Sequence, residues 1–134
     1  MGARLQYCKV VDKQIFYNEN GRIHPGLVNQ IVLREEPGTA ADFLVLRGWT
    51  EDHGTFTEQW RLEGAGGGLV YESVPRELYL ATPEHVERLE DEVVDVVFQY
   101  SGDDYSIVFL LDDLEVARAK VAVGVEESEG ADTA

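Results

Sequence analysis

Nucleophilic or acid–base chemistry in this chain would have to come from one cysteine, Cys8, and three histidines, His24, His53 and His85. A nucleophilic site needs the nucleophile, a base and an orienting group within reach of one another. None of the histidines stands in a motif with serine or cysteine, and no Gly-x-Ser-x-Gly elbow occurs. His24 precedes Pro25 in an expected loop, His53 falls in an expected turn, and His85 at an expected helix start. Cys8 lies in an expected strand with Tyr7 and Val10, which reads as a buried, inert thiol. Transition-metal chemistry fares no better, because no Cys-x-x-Cys or His-x-x-x-His spacing is present. Calcium asks only for several carboxylate oxygens from loops, and Asp103-Asp104, Asp112-Asp113 and Glu51-Asp52 are such clusters. The first two flank a seven-residue strand, roughly 20 Å long at about 3.3 Å per residue, so they cannot share one ion. Gly64-Ala65-Gly66-Gly67-Gly68 invites a phosphate-cradle reading, but it lacks the Gly-Lys-Ser/Thr that opens a helix and leads instead into Leu69-Val70-Tyr71. A hairpin turn is the expectation there. Catalysis is not expected.

The elements that would position these residues are short alternating runs separated by turn residues, the pattern of an all-β protein. Strands are expected at Arg4–Val11, Leu27–Arg34, Asp42–Thr50, Phe56–Glu63, Leu69–Leu80 (interrupted by Pro75), Val93–Tyr100, Tyr105–Leu111 and Glu115–Val123. Asn20-Gly21 favours positive φ and predicts a small hairpin of Gln14–Tyr17 against Arg22–His24. Asp42–Thr50 and Phe56–Glu63 read as a second hairpin, with Phe56, Glu58, Trp60 and Leu62 on one face. Thr82-Pro83-Glu84 has the grammar of a helix start, and Val86, Leu89 and Val93 recur at helical spacing. One short helix is therefore expected within Thr82–Glu92. Trp49, Trp60, Phe56 and Tyr71 could form an aromatic ligand platform, but such residues more often fill a sandwich core. The architecture expected is a two-sheet immunoglobulin-like β-sandwich over residues 1–123, with a small β-barrel as the alternative closure. Residues 124–134, with Glu126, Glu127, Glu129 and Asp132 among small residues, read as a disordered acidic tail.

Charge is distributed unevenly. The 134 residues carry a formal net charge of −15. Residues 1–83 hold 8 basic and 11 acidic side chains, net −3, whereas residues 84–134 hold 3 and 15, net −12. So acidic a chain is not expected to bind a nucleic-acid backbone directly, since basic charge drives that binding. The asymmetry reads first as a solvated acidic end that favours solubility; its sharper reading is an electrostatic surface for a basic protein partner, steered by long-range attraction. Glu84, Glu87, Asp91, Asp103 and Asp104 are the candidate contact residues. A free sheet edge that accepts a partner strand is a further binding mode.

The C-terminal third, Gly102-Asp-Asp-Tyr105-Ser-Ile-Val-Phe-Leu-Leu-Asp112-Asp113-Leu-Glu-Val-Ala-Arg-Ala-Lys-Val-Ala-Val123, resembles the last hairpin of small bacterial β-sandwich proteins. Leu5-Gln-Tyr-Cys-Lys-Val-Val-Asp12 and the segment around Gly21 are similar to one uncharacterised immunoglobulin-like family of that kind. The resemblance spans residues 3–123 and departs from the usual pattern at Asp112-Asp113, where Asp-Gly is commoner. What it implies is a fold and no established activity, so it carries no site residues.

The expected function is a non-enzymatic protein-interaction or assembly module. The alternatives are an acidic decoy that mimics nucleic acid to inhibit a basic partner, and a calcium-dependent binding module. No cofactor is expected. Met1–Asp12 lacks the apolar stretch of a signal peptide and no run approaches the roughly 20 apolar residues of a membrane span, so a cytoplasmic protein without membrane association is expected.

Overall fold

A computed structural model describes residues 2–23 and 26–126. In chain order its elements are β1 (Arg4–Asp12), α1 (Lys13–Asn18), β2 (Gln30–Leu33), β3 (Gly38–Thr39), β4 (Phe43–Thr50), β5 (Gly54–Glu63), a 3-10 turn (Ala65–Gly67), β6 (Leu69–Glu72), β7 (Arg76–Leu80), β8 (Glu87–Val93), β9 (Val97–Phe98), β10 (Gly102–Leu111) and β11 (Leu114–Val125). The protein is all-β, as the alternating runs imply.

Every residue of β4 is buried, so both of its faces must be covered. β1 and β8 flank it antiparallel in a sheet of order β1-β4-β8. Its inward row (Phe43, Val45, Arg47, Trp49) faces the second sheet. Its outward residues Leu44 and Leu46 join Val11 beneath Tyr7 of β1 and beneath Phe16, Ile23 and Leu27, supplied by α1 and the segment after it. The second sheet runs β2-β11-β10-β5-β6, with β7 also on β5. Trp60, Leu62, Ile107 and Phe109 point from it into the shared core. There Trp49 meets Phe109 edge to face, ring centroids 5.9 Å apart.

The two long sides of this assembly differ. On one, Asn29 stitches the sheets together. Its Oδ1 accepts from Val10 N–H at 3.0 Å, and its Nδ2 donates to Cys8 C=O at 3.3 Å and to Lys120 C=O at 3.4 Å. One side chain thereby occupies backbone groups of both β1 and β11, which would otherwise be unpaired. On the other side, β8 ends one sheet and β6 with β7 ends the other, and no described strand bridges them. That side is open.

Four expectations fail locally, each for a physical reason. Gln14–Tyr17 is not a hairpin arm but part of α1. Asp12 caps this helix, its Oδ1 accepting from the N–H groups of Gln14 and Ile15 at 2.8 and 3.1 Å. The positive φ values of Asn20 (57°) and Gly21 (76°) end the helix, with Gly21 N–H returning to Phe16 C=O at 2.9 Å. The same Asn-Gly step serves a hairpin or a helix stop equally well. Thr82–Glu92 holds no helix; Glu87–Val93 is a strand, because β4 needs a partner and Leu89 and Val93 satisfy a period of two as readily as the helical one. Asp42–Thr50 and Phe56–Glu63 do not pair with each other, since β4 and β5 belong to different sheets. Finally, Val93–Tyr100 is broken at Asp95 (φ 59°); Val96 and Phe98 are buried, whereas Val94 and Tyr100 are exposed.

The expected tail boundary also shifts. β11 continues past Val123, with Gly124 and Val125 paired in parallel to Val32 and Leu33, and Glu126 N–H donating to Leu33 C=O at 2.6 Å. The remainder of the expected acidic tail, residues 127–134, lies outside the described residues, as do His24 and Pro25. A chain ending at Val123 should therefore lose about 1–3 kcal/mol in urea unfolding relative to one ending at Glu126, for the ladder bonds removed. Equal midpoints would mean that the β2–β11 pairing contributes nothing at its end.

Candidate interaction edge and the polar cluster behind it

β8 is the edge of its sheet and presents alternate side chains to two environments. Glu87, Leu89, Asp91 and Val93 turn toward the second sheet, and Arg88, Glu90 and Glu92 turn outward. The segment before it is pinned to the end of β4. Thr50 Oγ1 approaches Pro83 C=O at 3.2 Å and His85 C=O at 2.8 Å, and Glu51 N–H donates to Pro83 C=O at 3.0 Å. The strand is therefore held in register along its full length with its outer backbone edge free.

Behind it lies a buried polar cluster. Arg47 and Glu58 have side-chain exposures of 0% and 1% and face each other between the sheets. Arg47 Nε donates to Glu58 Oε2 at 2.8 Å and Nη2 to Oε1 at 2.5 Å, a bidentate pair, while Nη1 donates to Val45 C=O at 3.1 Å. Trp49 Nε1 donates to Glu58 Oε2 at 2.7 Å, and Trp60 Nε1 to Asp91 Oδ2 at 2.7 Å. Asp91 also lies 3.3 Å from Arg47 and 3.4 Å from Arg76. Two cations and two carboxylates close the set at zero net charge. Burial alone would lower the Arg47 pKa, but hydrogen bonds to Glu58 and the charges of Glu58 and Asp91 outweigh it and leave it raised. Asp91 is thus spent on internal partners.

The other candidate contact residues separate into two places. Glu84 is exposed before β8, and Glu87 at its start contacts His85 Nε2 at 2.8 Å. Asp103 and Asp104 are exposed in the first residues of β10, which follows the far end of β8, roughly 20 Å away by the strand's length. Near Asp104, the exposed side chains of Leu69, Val97 and Tyr100 line a cleft of about 590 Å³ with the glycine-rich loop. That loop makes the β5–β6 turn, and Gly66 and Gly67 adopt φ of 78° and 85°. Asp112 and Asp113 form the β10–β11 turn with φ of 50° and 70°, a conformation that suits the twist of a two-residue hairpin. Among the described residues, no three His, Cys, Asp or Glu side chains gather into a group able to hold a metal ion.

Residues considered for chemistry are not brought together. His53 and His85 are on the surface, and Cys8 faces the core. Burial pushes the Cys8 thiol up to about 12, against the opposing charge of Arg47. At pH 8 its modification by a disulfide reagent should be slower than in the denatured chain by about 1,000-fold, since only thiolate reacts. Comparable rates in native and denatured protein would place the thiol in solvent. Trp49 and Trp60 are fully buried, with Trp60 packed on Tyr71 at 5.4 Å; they are core residues rather than a surface platform. Pairing of Arg47 with Glu58 is not among the expectations drawn from the sequence. Its signal was a glutamate placed on the apolar face of Phe56, Trp60 and Leu62.

No protein-family model matches the chain, and no curated protein matches it in sequence. Among the described residues no helix is long and apolar enough to cross a membrane.

Proposed function

We propose that this protein is a non-enzymatic interaction or assembly module of immunoglobulin-like β-sandwich type, and that it takes a basic extended segment of a partner onto the free edge of β8. The observation that carries this reading is the edge itself: seven residues long, unpaired on one side, rigidly seated on β4, and bearing Glu87, Glu90 and Glu92 around a single Arg88. An unpaired edge offers a row of backbone donors and acceptors for strand addition, and flanking carboxylates select the sign of the incoming side chains. Glu84 extends the acidic border upstream. The immunoglobulin-like assignment draws support from the strand order, with β2 parallel to β11 in one sheet and β1-β4-β8 in the other. It draws more from Tyr105, whose hydroxyl donates to Tyr100 C=O at 2.5 Å at the entry to β10, as in the tyrosine corner of such domains.

A lysine-rich extended peptide and its glutamate-rich counterpart, titrated calorimetrically, test the reading. The basic peptide should bind, and more weakly as salt rises, because exposed charges are screened beyond about 8 Å at physiological ionic strength. N-methylation of alternate peptide residues should abolish binding for one edge of the peptide and spare it for the other. Glu84→Gln with Glu87→Gln should slow association more than it speeds dissociation. Equal binding of the acidic peptide, or indifference to N-methylation of either edge, would overturn strand addition.

A further inference from the structure

The outer face of the β1-β4-β8 sheet holds a second feature, which shares Arg88 and Glu90 with that edge. Cross-strand rows Tyr7–Gly48–Arg88 and Lys9–Leu46–Glu90 lie side by side on it. Tyr7 lies over Gly48 so closely that a Cβ there would sit 2.4 Å from its ring, so the glycine lets the aromatic lie flat on the sheet. Together with Phe16 and Ile23, from α1 and the segment after it, these residues enclose a cleft of about 570 Å³. That volume falls within the roughly 300–1,000 Å³ typical of small-molecule sites. Its floor is apolar, formed by Tyr7, Leu46 and Phe16.

Two cations and one carboxylate stand at its rim. Six of the eleven cations are paired with carboxylates: Arg4 with Glu51, Lys13 with Glu92, Arg47 with Glu58, Arg61 with Glu63, Arg76 with Asp91, and Arg118 with Glu115. Lys9 and Arg88, like Arg22, Arg34 and Lys120, have no carboxylate within ion-pair distance among the described residues, although acids outnumber bases 26 to 11. Lys9 and Arg88 both line this cleft, on the two strands that flank β4, and Glu90 is the acid in its lining. An apolar floor beneath two unneutralised cations is complementary to an anion with an apolar body. We propose that the cleft is a binding site for a small free carboxylate carrying an aliphatic or aromatic chain, the chain lying over Tyr7 and Leu46 and the carboxylate reaching Lys9 and Arg88.

Octanoate, octan-1-ol and octyltrimethylammonium are the probes, followed by calorimetry and by backbone amide shifts of the full chain. Octanoate should bind saturably at one site and at least about tenfold more tightly than octan-1-ol, the gain of a charge-assisted contact. Its shifts should centre on Tyr7, Leu46 and Gly48. Lys9→Gln and Arg88→Gln should each weaken it by about three- to tenfold, while Arg34→Gln, a cation outside the cleft, should leave it unchanged. Both cleft variants change exposed or half-exposed side chains, and an unaltered urea midpoint checks that each is folded. Octan-1-ol or the cation binding as tightly as octanoate would overturn the proposal. So would shifts centred on Leu69 and Tyr100, or association with anionic vesicles in place of free octanoate.

Discussion

Glu58→Leu should destabilise the protein by about 3–5 kcal/mol, the range for breaking a buried ion pair by removing one partner. The substitution leaves the Arg47 guanidinium buried with only Asp91 at 3.3 Å and Val45 C=O as partners, and takes the acceptor from Trp49 Nε1. For a domain whose total stability is about 5–15 kcal/mol, that loss brings unfolding within reach of mild denaturant. The companion variant decides the cause. Arg47→Met combined with Glu58→Leu removes both charges, and replacing a buried pair with apolar groups of similar volume is often neutral or stabilising. The double variant should therefore recover most of the loss in urea unfolding. A double variant as unstable as the single one would show that the space, rather than the uncompensated charge, is what matters. A single variant costing less than about 1 kcal/mol would mean that water reaches Arg47.

Trp60→Ala should cost a similar amount, about 3–5 kcal/mol, through the cavity left by a fully buried indole. Trp60→Phe separates packing from hydrogen bonding. Phenylalanine keeps a ring against Tyr71 but withdraws the N–H from Asp91 Oδ2. Because Asp91 retains Arg47 and Arg76, and its side chain is 21% exposed, that change should cost only about 1–2 kcal/mol. Asp91→Ala in the Trp60→Phe background should then show a smaller effect than in the wild type, a coupling of about 1 kcal/mol. Strict additivity would remove Trp60 from the cluster. An equal loss for phenylalanine and alanine would put the whole effect on the N–H.

What the residues reveal locally and what they conceal follow from the range of each interaction. The β10–β11 hairpin is legible because Tyr105, Ile107, Phe109 and Leu111 alternate without interruption and Asp112-Asp113 marks the turn. The break between β6 and β7 is legible because Pro75 cannot donate to a ladder. β8 is concealed because its apolar positions fit two periods, and only the unmet need of β4 for a neighbour selects the strand. α1 is concealed because Asn20-Gly21 has two uses, and the capping role of Asp12 lies outside the hairpin reading. The acidic contact set follows from net charge, which says nothing of direction. The fold turns Asp91 inward to Arg47 and leaves Asp103 and Asp104 at the opposite end from Glu84. Parallel pairing of β2 with β11 has no local signature at all.

That last pairing bears on how the chain is made. Gln30 and Ile31 find their neighbours at Ala122 and Val123, almost a full domain away in sequence. During synthesis from the N-terminus, β1, β4 and β8 are all made before β10 and β11. The strands of the first sheet are complete first, but β2 waits with its edge bare until β11 has been made. Pairings of such long range form late and slowly, and an unfilled edge in a nascent chain is open to other strands. Asn29, placed beside β2 and bonded to Cys8 and Val10 of β1 as well as to Lys120 of β11, offers the early sheet a contact that can be made before the late strand arrives.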